Sequence, residues 1–249
     1  MKKDERLNYI LEEIRTYNKV KSTDLCSQLN VSEDTIRRDL KELSDKGKIK
    51  KVHGGAMASN YIPFSHKERE VYAHTEKVKI VRKARKLLKD DMVISMDGGT
   101  TNLEMARLMP QDIHLTVVTN SFPIASQLTE HPHIDILFLG GKVLKSAQVS
   151  IGLDVIKPLA QIKTDLCFIG TRSLDLENGL TDIDREEVQV KQMMIESTAK
   201  VVCLTLSEKL GTYQPYKICA AGEIDIIITE LESNNKVFNA YKQKDIKIL

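Results

Sequence analysis

Val31-Ser32-Glu33-Asp34-Thr35-Ile36-Arg37-Arg38-Asp39-Leu40-Lys41-Glu42-Leu43 is the stretch on which the reading of the whole chain turns. Ile36, Leu40 and Leu43 stand at i, i+4 and i+7, which lays an apolar stripe along one side of a helix. Ser32 stands where a hydroxyl can cap the first turn, although Thr35 sits where a capping box would want Glu or Gln. At about 100° per residue, Asp34, Arg38 and Lys41 face away from the stripe and Arg37 lies on its flank. A helix that packs on one side and offers cations on the other suits a DNA recognition helix. A solvated charged face is the plainer reading, and the flanking segments decide between the two.

Upstream, Leu7, Ile10, Leu11 and Ile14 form an i, i+3, i+4, i+7 stripe, so a first helix is predicted from about Lys3 to Tyr17. Asn18-Lys19 breaks it, and Val20 begins a short connection. Ser22 is placed to cap a second helix, Thr23 to Leu29, with Leu25 and Leu29 facing in. Asn30-Val31-Ser32 is then the turn of a helix-turn-helix. Downstream, Gly47 is placed to stop the third helix. Ile49 and Val52 flank Lys50-Lys51, and Gly54-Gly55 permits a sharp turn, as in a β wing lying along a phosphate backbone. The DNA-facing set predicted here is Ser32, Asp34, Thr35, Arg37, Arg38 and Lys41 on the helix, with Lys48, Lys50, Lys51 and His53 on the wing.

The whole chain supports a local cationic head. Net charge is +2 over 249 residues, but residues 1–60 hold 13 Lys/Arg against 10 Asp/Glu, and Arg37 to Gly55 hold 7 against 3. The positive charge is confined to the segment that would meet DNA. With 41% apolar residues the chain can build a core, and no apolar run approaches the roughly 18 residues that span a membrane. The N-terminus lacks the apolar core of a signal peptide, so a cytoplasmic protein is predicted. Cys26, Cys167, Cys203 and Cys219 have neither CxxC pairing nor a His at metal spacing; they read as small buried hydrophobes, and neither a metal nor a cofactor is expected.

Thr35-Ile36-Arg37-Arg38-Asp39-Leu40, Gly47 and Lys51-Val52-His53-Gly54-Gly55-Ala56 together resemble the signature of the DeoR family of bacterial transcriptional regulators. The resemblance implies a winged helix-turn-helix followed by an effector domain similar in fold to ribose-phosphate isomerase, which senses phosphorylated sugars or related metabolites.

The second half reads as α/β on its own residues. Met57 to Ser65 has no apolar period and reads as a linker. His66 to Lys89 is charged, with Val71, Val78, Val81, Ala84, Leu87 and Leu88 as an approximate stripe of one connecting helix. The predicted boundaries are a head over 1–57, a linker and the start of the connecting helix over 58–75, and an effector-sensing and oligomerisation domain over 76–249. From Asp91, apolar runs at Met92–Met96, Leu115–Thr119, Ile134–Leu139, Leu166–Ile169, Val201–Thr205 and Ile224–Thr229 alternate with helical segments, among them Asn102–Leu108, Pro123–Leu128 and Arg185–Ala199. Near-continuous apolar strands between helices predict a largely parallel, covered sheet.

Ligands in such sheets sit beyond the carboxyl ends of the strands. Small polar residues cluster there: Asp97-Gly98-Gly99-Thr100-Thr101, Asn120-Ser121, Gly140-Gly141 and Gly170. Each could be an ordinary turn. Their recurrence at four successive strand ends points to a small anionic ligand, held by backbone amides and Thr hydroxyls. By default, Glu187 and Lys191 at i, i+4 are a modest surface pair. The family resemblance extends over these turns and over Gly179-Leu180-Thr181, Glu187, Lys191, Lys209 and Gly211. It implies that Gly99, Thr100 and Thr101 hold a phosphate and that Lys191 and Lys209 lie near the ligand. The predicted effector set is Asp97, Gly99, Thr100, Thr101, Asn120, Ser121, Gly141, Gly170, Glu187, Lys191 and Lys209. The chain departs from the family pattern with Leu206 for Asp, Ser173 for Gly and Glu230 for Asp.

The function expected is a DNA-binding transcriptional regulator, a repressor of a carbohydrate-metabolism operon controlled by a phosphorylated metabolite. One short helix reads too few bases, so a homodimer or homotetramer on double-stranded operator DNA is expected. The alternative is a phosphosugar-processing enzyme of the isomerase fold, with Asp97, Asp184, Glu187 and Lys191 moving protons. No nucleophile or His-carboxylate constellation demands that chemistry, and fold does not carry activity. An RNA-binding protein is a third reading, which lacks aromatic residues among the basic ones for stacking bases.

Overall fold

The computed structural model describes residues 3–17, 19–46, 48–52, 54–58 and 66–249. The chain divides into two compact units, Met1–Ile62 and Pro63–Leu249. His53, Gly47 and most of the predicted linker lie outside the described residues.

The first unit runs α1 (Lys3–Tyr17), β1 (Lys19–Lys21), α2 (Ser22–Leu29), α3 (Glu33–Asp45), β2 (Ile49–Val52) and β3 (Gly55–Ala58). Leu7, Ile10, Ile14, Leu25, Ile36, Leu40, Leu43 and Ile49 meet in one apolar core. Each such side chain contributes about 1.5–3 kcal/mol on burial, so the i, i+4, i+7 stripes are what hold the three helices together. Two expectations are corrected. Val20 lies in a strand rather than a bare connection, and β3 sits between β1 and β2 in an antiparallel sheet. Ser22 is the first residue of α2 and makes no capping bond; its N–H instead donates to the Gly54 carbonyl at 2.8 Å. This close approach explains Gly55, where a Cβ would stand 2.0 Å from the Val20 carbonyl oxygen.

The second unit opens with α4 (His66–Val71) and α5 (His74–Ala84). The single connecting helix is therefore corrected to two, broken where Ala73 takes a left-handed conformation with φ of 52°. Val71 is 78% exposed, and the buried face of α5 is Lys77, Ile80, Val81 and Ala84. There follow β4 (Met92–Met96), α6 (Thr100–Arg107), β5 (Leu115–Thr119), α7 (Phe122–Leu128) and β6 (Ile134–Phe138). The hairpin β7 (Lys142–Leu144) and β8 (Val149–Ile151) leads to α8 (Leu153–Leu159). The remaining elements are β9 (Leu166–Gly170), β10 (Ser173–Asp175), β11 (Gly179–Asp182), α9 (Arg185–Glu196), β12 (Val201–Leu204), β13 (Tyr216–Cys219), β14 (Ile226–Ile228), α10 (Asn239–Lys242) and β15 (Lys247–Ile248).

Seven strands form a wholly parallel sheet in the order β15-β14-β12-β9-β4-β5-β6. Successive residues serve opposite layers. Ile94, Met96, Val117, Phe168 and Val202 pack beneath α5 and α6, whereas Val118, Cys167, Ile169 and Cys203 pack toward α8 and α9. Cys167, Cys203 and Cys219 are buried and free, with burial pushing each thiol upward. A second, antiparallel sheet, β10-β11-β13, is an addition to the sequence reading.

Candidate nucleic-acid interface and anion site

On α3, Ser32 caps as expected: its Oγ accepts from the Thr35 N–H at 3.3 Å and lies 2.9 Å from Thr35 Oγ1. Arg37, Arg38 and Lys41 are exposed along the outer face. Arg37 pairs with Asp34 at 2.8 Å, both largely exposed, and such a pair opens at little cost. Lys48, Lys50 and Lys51 are exposed beside it. Lys50 and Lys51 are neighbours on β2 and project from opposite faces of the wing, so they cannot follow the same strand of phosphates.

Two acidic residues of α3 are engaged by cations of α1. Asp39 is 2% exposed and receives a two-pronged ion pair from Arg6 of α1, one arm at 3.1 Å. Glu42 accepts from Lys3 at 2.7 Å and Lys46 at 2.8 Å, and these bonds hold its carboxyl down at about 2. Asp39 is thus turned inward and Glu42 toward α1, while Glu33, Asp34 and Asp45 stay exposed with Arg37 and Arg38. The sequence carried a signal for Asp39: it falls beside Ile36 and Leu40 on the apolar face, where a carboxylate needs a cation.

In the second unit, strand order reverses between β4 and β9, which places a switch-point crevice beyond their carboxyl ends. Asp97 follows β4 and is 2% exposed. Its Oδ1 accepts from the Gly99 N–H at 3.1 Å, the Gly170 N–H at 2.9 Å and Asn102 Nδ2 at 2.6 Å. One oxygen therefore ties both strand ends to the start of α6. A Cβ on Gly170 would stand 3.1 Å from the Gly99 Cα, so the two backbones lie close and a side chain at either position would push its neighbour aside.

Cations gather over this helix start. Lys77, 3% exposed, donates to the Arg69 carbonyl, and Thr100 Oγ1 donates to the same oxygen at 3.3 Å. Lys209 donates to the Thr171 carbonyl. Burial pushes the Lys209 ammonium down to about 7, and the charges of Lys77, Arg172 and Arg69 act the same way against Glu208. Burial, then Arg69, pushes Lys77 down to about 8. Buried cations that depress one another beside a helix N-terminus are relieved by an anion. Arg69, Lys77 and Arg172 were not in the predicted set. They come from separate segments that only the fold assembles.

Lys191 is also not the surface pair its spacing suggests. It is 5% exposed and pairs with Asp182 at 2.6 Å, Glu187 at 2.9 Å and Asp97 at 3.4 Å. Despite burial, these three carboxylates hold its ammonium well above the ordinary lysine range. Burial raises Glu187, while Asp182 is held low by Lys191 against its own burial. Asp97 thereby joins the Thr100 turn to the Lys191 group, and Asn120 lines the same crevice. The structure places the other predicted residues differently. Thr101 is buried at the start of α6. Ser121 caps α7 through the Ile124 N–H at 3.5 Å. Gly141 packs against the Ile151 carbonyl and Val155. Asp184 caps α9 through the Glu186 and Glu187 N–H groups, at 3.0 and 2.9 Å.

The departures from the family pattern are internally satisfied. Leu206 is buried in the apolar layer. Ser173 Oγ accepts from Gln214 Nε2 at 3.3 Å. Glu230 accepts the Ser207 N–H at 3.0 Å and its hydroxyl, capping the short turn that carries Lys209.

A head with a cationic helix face and an α/β body with cations beside a switch-point turn mark a DNA-binding protein that carries a second domain. The comparisons agree: residues 6–60 match the DeoR-like helix-turn-helix domain and residues 72–231 the DeoR C-terminal sensor domain. The chain belongs to the DeoR family and is a DNA-binding transcriptional regulator. It is 30% identical to the HTH-type transcriptional regulator GolR of Listeria innocua, over 98% of this chain and 97% of that one. It is 31% identical to the HTH-type transcriptional repressor GlcR of Bacillus subtilis, over 100% and 96%. Among solved structures it is similar to ribose 5-phosphate isomerase A of Methanocaldococcus jannaschii, with TM-score 0.40, 19% identity and coverage of 54% and 53%. It is also similar to translation initiation factor eIF-2B of Pyrococcus horikoshii OT3, with TM-score 0.48, 13% identity and coverage of 91% and 95%. No helix among the described residues is long and apolar enough to cross a membrane.

Proposed function

We propose that this regulator is a repressor whose DNA affinity is set by a small phosphorylated metabolite, of the kind carbohydrate metabolism supplies. The head reads the major groove with Arg37, Arg38 and Lys41 and holds phosphates with the wing lysines. Two or four copies engage paired half-sites. The observation that carries the effector reading is that Lys77 and Thr100 donate to one carbonyl beside the start of α6, within a group of cations in which Lys77, Arg172 and Arg69 act on Lys209. The wall of Asp97, Asp182, Glu187 and Lys191 supplies acceptors for the hydroxyls of such a ligand. Against the enzyme reading, Asp184, one of the four residues it would use, is engaged as a helix cap.

A thermal-shift screen of sugar phosphates against the full-length protein tests this. A stabilising ligand is expected, and Thr100→Ala is expected to weaken its effect. Stabilisation by free sugars but by no phosphorylated compound would overturn the phosphate assignment.

A further inference from the structure

The donors beside the start of α6 already share a protein acceptor. Thr100 Oγ1 and Lys77 Nζ both point at one acceptor, the main-chain carbonyl of Arg69. That carbonyl belongs to the last turn of α4, which stops at Val71. Ala73, whose N–H would continue the helix ladder to Arg69, is turned into the left-handed region. The Arg69 carbonyl is therefore a helix C-terminal oxygen, carrying the partial negative charge of that end.

We propose that the Arg69 carbonyl is a built-in competitor for the anion site, so that an anionic effector binds by displacing the end of α4. The inference rests on the reading that this site takes an anion, and adds how occupancy is sensed. The single Thr100 hydroxyl proton cannot serve a phosphate while the carbonyl holds it, and Lys77, with donors to spare, would be drawn from the carbonyl toward the stronger charge. A neutral carbonyl compensates a buried ammonium only in part, whereas a phosphate group brings about −1.5 to −2 charges. The nearby carboxylates do not fill that place: Glu70 pairs with Arg107, Glu104 faces His74 and Arg107, and Glu208 accepts from Tyr72. With the carbonyl released, α4 keeps the Glu70–Arg107 pair, Arg69 Nη2 on the Ser146 carbonyl, the buried His66 and, just beyond it, the Tyr72–Glu208 bond. In sequence, α4 follows directly on residues 59–65, which join the two units. Effector binding and α4 docking then exclude one another, which supplies the differential affinity that any switch requires.

The test uses full-length protein and inorganic phosphate as probe, with hydrogen exchange read along the chain. Saturating phosphate is expected to speed exchange at residues 66–73 while slowing it at the start of α6. The decisive variant is Arg107→Gln, which cuts the α4 clamp and also removes a cation. Simple electrostatics makes its phosphate affinity weaker; displacement makes it about threefold tighter, the scale of a half-exposed ion pair. Weaker binding in Arg107→Gln, with slower or unchanged exchange at 66–73, would overturn the displacement while leaving the anion site standing. Lys77→Met separates the two ideas: if phosphate binds it as tightly as wild type, the site itself is wrong.

Discussion

The two units use lysine and arginine in opposite ways. In the head, Asp39 of α3 is drawn inward by Arg6, and Arg37, Arg38 and Lys41 stand in water. In the body, Lys77 and Lys191 are inside, and burial perturbs them strongly. The difference matches the size of the partner. A duplex is too large to be enclosed, so its contacts stay solvated, numerous and individually weak. A small anion can be enclosed, so a few desolvated cations suffice and each is worth more.

The contrast is broken most severely by removing the innermost cation. Lys191→Met should leave Asp97, Asp182 and Glu187 buried without their shared cation and destabilise the body by about 3–5 kcal/mol. Calorimetry should show the body's transition falling while that of the head stays in place. Next comes the one place where the head behaves like the body. Asp39→Ala should destabilise the head by about 3 kcal/mol, because it strands Arg6, and should weaken operator binding with it. Arg38→Ala should leave stability within about 0.5 kcal/mol but lose about 1–3 kcal/mol of operator affinity in fluorescence anisotropy. Equal stability losses in these two head variants would erase the distinction between inward and outward charge.

The smallest effect is in pH. Lys209 gives up its proton near 7 when folded and near 10.5 when unfolded. Between those values the unfolded chain binds more protons, so this group makes the ligand-free body more stable as pH rises. Anion binding favours the charged form, so affinity should move the other way. Sulfate affinity, measured by titration calorimetry, should fall several-fold between pH 6.5 and 8.5 and be accompanied by proton uptake. A flat profile would remove Lys209 from the site.

Periodicity made the head legible, since Ile36, Leu40 and Leu43 declare a helix face and every one of them is buried. The parallel strands were legible as unbroken apolar runs, and the switch-point turn at Asp97 to Thr101 followed from the topology they imply. What stayed hidden depends on contacts distant in sequence. Nothing local marks Ala73 as left-handed, so two helices read as one. Lys77 and Lys191 look like surface residues because most lysines are. The strands β10, β11 and β13 are short and partly polar; β10 and β11 form a tight local hairpin, and β13 joins β11 from far along the chain, with Leu180 opposite Cys219.

The contact between Gly99 and Gly170 has a lasting effect on how this pocket can diversify. Its floor is main chain shared by two strand ends that lie close together, so a methyl added at either glycine would have to push the other backbone aside. On the proposed reading, a change of preferred metabolite is more easily written into the rim, in the segments around 69–77 and 171–209, than into this base.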